Sequence, residues 1–186
     1  MAAVTDNWRE LFFAAVSEGI HVYEERSMWT SPWKKTDLPP NYSIDDFPKI
    51  GIIYDASGCM DDVKDEIVKV LKELQVSYCG QAEFWVVEVD ETVRNGPYEL
   101  LPDWKGFGKG TGKKANLDPA IDALGVIGWF NVLIIATDGN LASEPCLSPE
   151  AGAVILLYPQ NHKSIAEYFL DTVEIIIRNY DQNDGG

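Results

Sequence analysis

Lys49-Ile50-Gly51-Ile52-Ile53-Tyr54, running straight into Asp55-Ala56-Ser57-Gly58-Cys59-Met60, is the stretch that decides the fold. The first six residues form a short apolar run of the kind buried on both faces in a parallel sheet. The run ends in an acidic loop of small residues. Val63, Ile67, Val70, Leu71 and Leu74 then recur at helical spacing, which predicts an amphipathic helix over 61–76.

Outward from there, the same alternation continues. Phe84-Trp85-Val86-Val87-Glu88-Val89 reads as a second strand, and Asn95-Gly96-Pro97 predicts a hairpin or meander over 91–100. A glycine-rich stretch, Gly106 to Gly112, leads to a helix opening near Asp118-Pro119. Val132-Leu133-Ile134-Ile135-Ala136 is a third buried strand, ending at Thr137-Asp138-Gly139, and Ala153 to Tyr158 is a fourth. Ile165, Phe169, Val173, Ile176 and Tyr180 predict a closing helix over Ser164–Asn179.

Before the first strand, residues 6–25 read as a helix capped by Asp6, with Trp8, Leu11, Phe12, Ala15 and Val16 on one face. Residues 27–48 carry Pro32, Pro39, Pro40 and Pro48 with Trp29 and Trp33, which predicts an extended arm. Its tryptophans are candidates either for pinning the arm to the body or for binding a partner. The expected organisation is a helix and arm over 1–48, one domain over 49–180 and a tail over 181–186. Strands alternating with helices predict an α/β fold: a three-layer, doubly wound, mostly parallel sheet covered on both faces.

The 186 residues suffice for one well-buried core. Acidic residues outnumber basic ones 30 to 15, for a formal charge of −15. Such a surface repels phosphate backbones and anionic lipid, so nucleic acid and membranes are excluded as expected partners. It suits cations and basic protein surfaces, or serves solubility alone. Cys59, Cys79 and Cys146 form neither a disulfide framework nor a C-x-x-C pattern, and no signal peptide or membrane-length apolar run is present. The expected location is the cytoplasm.

Ligands of parallel sheets gather at the carboxyl ends of the strands. Two acidic loops lie at such ends, Asp55-x-Ser57-x-Cys59 and Thr137-Asp138-Gly139, and their carboxylates and hydroxyls suit a hard divalent cation such as magnesium. Asp55-Ala56-Ser57-Gly58-Cys59-Met60 resembles the first motif of von Willebrand factor A (VWA) domains, whose usual form is D-x-S-G-S-M. Ala115-Asn116-Leu117-Asp118-Pro119-Ala120 is similar to their second motif, and Thr137-Asp138-Gly139 to their third. The resemblance spans about residues 49–180, and the lead-in is most similar to bacterial and phage VWA-like proteins. It implies that the strand near 50–54 is central, between those near 84–89 and 132–136.

The resemblance also implies a metal-ion-dependent adhesion site, with Asp55, Ser57 and Asp138 at three ligand positions. Two positions depart. Cys59 stands where a serine hydroxyl belongs, and a thiol is a poor ligand for magnesium. Ala115 stands where a threonine belongs and offers no ligand. The expectation is therefore a degenerate site with weakly bound magnesium or none. Thr111 is a possible substitute for the missing threonine; alternatively Lys113 and Lys114 neutralise the crevice.

Other chemistry is less well supported. The glycine-rich stretch departs from the phosphate-binding pattern in spacing and in the residues around Lys113. Soft-metal ligation would need Cys59, Cys79, Cys146, His21 and His162 to meet. The expected function is a non-enzymatic protein-interaction or assembly module, with Asp55, Ser57, Asp138, Trp29 and Trp33 as partner-binding residues. The alternatives are a structural component of a larger particle such as a phage virion, and a hydrolase with Cys59 as nucleophile.

Overall fold

A computed structural model describes residues 7–29, 47–110 and 114–177, with the side chains of 22–29 outside that description. The elements run α1 (Trp8–Trp29), β1 (Lys49–Asp55), α2 (Lys64–Ser77), β2 (Glu83–Val89), β3 (Val93–Glu99), α3 (Asp118–Gly125), β4 (Phe130–Ala136), β5 (Ala151–Tyr158) and β6 (Thr172–Ile176). One six-stranded sheet has the order β3-β2-β1-β4-β5-β6. All neighbours pair in parallel except β2 and β3. β1 is central, as expected, with Ile50 level with Phe84 on one side and Val132 on the other.

Alternation along β1 builds two cores. Ile50, Ile52 and Tyr54 face the layer of α1 and α2, whereas Ile53 faces the layer of α3. Six of the seven β1 residues are buried, which is why the run lacks the polar alternation of a half-exposed strand. On α2, Ile67, Val70, Leu71 and Leu74 form the buried stripe, and Asp65 and Glu66 in its first turn complement the helix dipole.

α1 is part of the same core. Trp8, Phe12, Val16 and Ile20, four residues apart, are all buried against β4, β5 and β6. A Cβ on Gly19 would come within 2.7 Å of a Val132 methyl, so the absent side chain lets the helix settle onto the sheet. Arg9 pairs with Glu66 and Glu73 of α2, tying the two helices along their partly exposed edge.

Two expectations need correction. Residues 164–177 do not form a helix: a short 3-10 turn, Ala166–Tyr168, is followed by β6, which lies parallel to β5. The β-branched run Thr172-Val173-Glu174-Ile175-Ile176 favours the extended form, and α1 already covers the face that a closing helix would take. The first helix continues to Trp29, into the range expected for the arm, because no residue before Pro32 breaks it. Its first turn is met by Asn7, whose Oδ1 accepts from Glu10 N at 3.4 Å; Asp6 lies outside the described residues. Residues 30–46 of the arm, including Trp33, also lie outside them, as do the Trp29 side chain and the tail. No helix among the described residues is long and apolar enough to cross a membrane.

Candidate functional site

The crevice forms where β1 and β4 end side by side. Asp55, the last residue of β1, is fully buried. Its Oδ1 accepts from Ser57 N at 2.8 Å, an Asx turn that reverses the chain directly after the strand. Its Oδ2 accepts from Thr137 Oγ1 at 2.7 Å, a bond linking the first loop to the third. Thr137 Oγ1 in turn accepts from Gly139 N at 3.0 Å. Asp138 Oδ1 accepts from Asn140 N at 2.8 Å, and Asp138 O accepts from Lys163 N at 2.8 Å. Gly139 has φ of 75°, and a Cβ there would lie 1.7 Å from Lys163 O, so only glycine fits this turn.

Ser57 is the exception in this network. It is 6% exposed, and its Oγ is buried without a hydrogen-bond partner. The hydroxyl lies close enough to Asp55 to favour the charged carboxylate, yet completes no hydrogen bond with it. Buried hydroxyls are rarely left unpaired, so Ser57 Oγ is a polar group that an ordered water, an ion or a partner's polar group would satisfy.

The electrostatics follow from burial and from the two aspartates. Burial pushes the Asp55 carboxyl above the usual aspartate range, Thr137 and Ser57 oppose that rise by hydrogen bonding, and the charge of Asp138 adds to it. Cys59 is exposed, and its hydrogen bond to Asp138, with that residue's charge, pushes the thiol above its ordinary value. The structure thus brings Asp55, Ser57, Cys59 and Asp138 to one crevice.

Ala115 is fully buried in the α3 core, and its carbonyl accepts from Ala142 N at 2.8 Å. Asp118 holds the loop after β4 through Cys146 N and Leu147 N. Lys114 is exposed, whereas Thr111 and Lys113 lie outside the described residues. The oxygen donors are thus Asp55, Ser57 and Asp138. No three His, Cys, Asp or Glu side chains among the described residues converge closely enough to hold a metal. Ser57 Oγ and the two carboxylates suit a cation that keeps several waters, but the Cys59 thiol and the Ala115 methyl offer no hard oxygen beside them.

One wall of the crevice is not evident in the sequence. Glu88, on β2, is buried and accepts from Asn95 Nδ2, Tyr98 OH and Gly108 N at 3.2, 3.2 and 2.8 Å. Phe107 stacks on Tyr54 with ring centroids 3.7 Å apart. Arg94 donates to Lys109 O at 2.7 Å, and Gly110 N donates to Asp61 at 3.3 Å. These contacts hold the glycine-rich loop beside Ser57: a Cβ on Gly110 would lie 3.1 Å from Ser57 O. The one sequence signal is a lone acid inside an otherwise apolar strand.

No protein-family profile matches the chain. A Thermotoga maritima protein described only as uncharacterized is 27% identical over 110 residues, which cover 59% of this chain. The chain spans 27% of that relative's length. Among solved structures, the crystal structure of the SpRpn10 VWA domain is similar with a TM-score of 0.47 and 10% identity, covering 70% of this chain and 88% of that one.

Proposed function

We propose that this chain is a non-enzymatic protein-binding module of VWA type, whose contact face centres on Asp55, Ser57 and Asp138 at the carboxyl ends of β1 and β4. The observation that carries the reading is the buried, unpaired Ser57 hydroxyl between two aspartate-bearing loops. The three motifs in VWA order and the central position of β1 support it. The metal position is degenerate at Cys59 and Ala115, so contact relies chiefly on the protein's own groups.

A hydrolytic role for Cys59 is less well supported. A raised thiol pKa keeps the sulfur protonated, the opposite of what a nucleophile needs. His162 Nδ1 is engaged with Pro159 O at 3.0 Å while its ring stacks on Tyr158.

The test is quantitative recovery of partners from the native host by the full chain and by Ser57→Ala and Asp138→Ala variants, each with and without chelator. The expected result is a partner whose recovery falls at least about tenfold in both variants with folding unchanged. Identical partner sets for all three proteins would sink the reading.

A further inference from the structure

The crevice at the carboxyl ends of β1 and β4 is rich in hydrogen-bond acceptors. Asp55 already accepts from Ser57 N and Thr137 Oγ1, and Asp138 from Asn140 N and the Cys59 thiol. An ionised carboxylate has about four lone-pair sites, so both retain acceptor capacity after these bonds. The Ser57 hydroxyl is the independent sign that a donor belongs here. It is 6% exposed, lies on the side of the Asp55 carboxylate, and meets no partner.

The charge of the missing donor follows from its surroundings. Asp55 is fully buried and Asp138 nearly so, and they are close enough for the charge of Asp138 to act on the Asp55 carboxyl. Among the described residues no lysine or arginine forms an ion pair with either. Arg9 engages Glu66 and Glu73, Lys64 engages Asp61, and Arg94 engages Asp90. Two desolvated carboxylates favour a cation between them, because burial disfavours their charged forms.

Magnesium suits the place poorly, with a thiol at Cys59 and a methyl at Ala115 where further oxygens would help. An ammonium needs no such oxygens. It carries three N–H donors and no acceptor, which matches one hydroxyl and two carboxylates. These acceptors come from three side chains on two loops, which suits a compact point charge better than the flat fork of a guanidinium. Cys59 and Asn140 are exposed at the mouth, so the charge must arrive on a slender stem, as on the methylene chain of a lysine. Asp61 and Asp62, exposed between the first loop and α2, add a field that draws a basic segment in.

We infer that the crevice receives a lysine side chain of a partner protein, whose ammonium sits among Asp55, Ser57 and Asp138 in the place a metal would take. The inference rests on the reading of the crevice as the contact face and adds the chemistry of what enters it.

The experiment selects displayed random peptides on the immobilised full chain, in one arm with chelator and in another with millimolar magnesium. With chelator, the enriched peptides should share one lysine. A synthetic copy of the strongest binder is then titrated by fluorescence anisotropy. Norleucine in place of that lysine keeps the stem and removes the charge, and should weaken binding at least about tenfold. Ser57→Ala removes an acceptor without altering net charge, so it leaves the diffuse attraction of an acidic surface intact. It should weaken the lysine peptide about tenfold at unchanged Tm and hardly affect the norleucine peptide. Equal weakening of both peptides overturns the inference, as does failure to enrich lysine peptides with chelator. Enriched peptides that carry an acid and need magnesium also overturn it, while leaving Asp55, Ser57 and Asp138 as the contact face. Binding insensitive to both Ser57→Ala and Asp138→Ala overturns the inference and that face together. Lysine peptides that bind only after Lys113→Gln with Lys114→Gln would assign the crevice to the chain's own lysines and overturn the partner.

Discussion

A buried carboxylate raised by its surroundings costs stability at neutral pH, and Asp55 is such a group. Its native pKa lies above the unfolded value, so the native state holds a proton more readily. Stability from this site is therefore greatest in acid and falls as pH rises from the ordinary aspartate value through the raised one. Asp55→Asn, which still offers an oxygen to Ser57 N, should be at least as stable as the native chain at pH 7 with chelator present, and its urea midpoint should vary less with pH across the acid range. A clear loss at neutral pH would show that the hydrogen bond from Thr137 Oγ1, which the Asn amide nitrogen cannot accept, outweighs the cost of burying the charge. Cys59 gives a second test. In a Cys79→Ser, Cys146→Ser background, Asp138→Asn removes the charge that holds the thiol up, so alkylation near pH 8 should accelerate severalfold. An unchanged rate would mean that Asp138 does not govern this sulfur. That Asp55, Ser57 and Asp138 meet at one crevice was legible because each sits in a short pattern at a strand end. Glu88 was not. Within Phe-Trp-Val-Val-Glu-Val it looks like an outward strand position, and its donors at 95, 98 and 108 are assembled only by folding.

Among the elements, the strands and the two helices α2 and α3 were readable because burial and periodicity agree there. The carboxyl-terminal stretch was not, because two periods coexist in it. Ile165, Phe169, Val173 and Ile176 fit a helix, whereas Val173, Ile175 and Ile177 fit a strand, and Ile175 and Ile177 are the buried pair. Two tertiary facts decide between them: the open edge of β5, and α1 filling the helical layer over β4 to β6. Gly19 is the point of closest approach. Gly19→Val would drive two methyls into Val132 and Ala153, and overpacking of this kind costs about 1–3 kcal/mol, against a helix-propensity gain below about 1 kcal/mol. The expected outcome in urea denaturation is a net loss of stability. A variant as stable as the native chain would show that α1 is not seated on the sheet as described.

For the molecule as a whole, the crevice couples the first loop to the third through Asp55 and Thr137, so a ligand bound there would register as global stability. Mass action sets the scale: a cation at 100-fold over its Kd adds about 2.7 kcal/mol. With about 2–4 °C per kcal/mol for a chain of this size, that corresponds to several degrees in Tm. On the proposal that Cys59 and Ala115 stand at two ligand positions, the native chain should shift by less than about 2 °C in millimolar magnesium. Cys59→Ser combined with Ala115→Thr restores the two oxygens that the VWA resemblance puts at these positions, and the double variant should shift by several degrees more than the native chain. The acidic surface attracts divalent cations at many places, so the comparison needs its own control: Asp138→Ala in the double variant should abolish the added shift while leaving any diffuse effect of magnesium. If the native chain gains several degrees and Asp138→Ala removes that gain, the missing oxygens are supplied from elsewhere, and Thr111, next to Gly110 in the loop held against Ser57, is the first residue to replace.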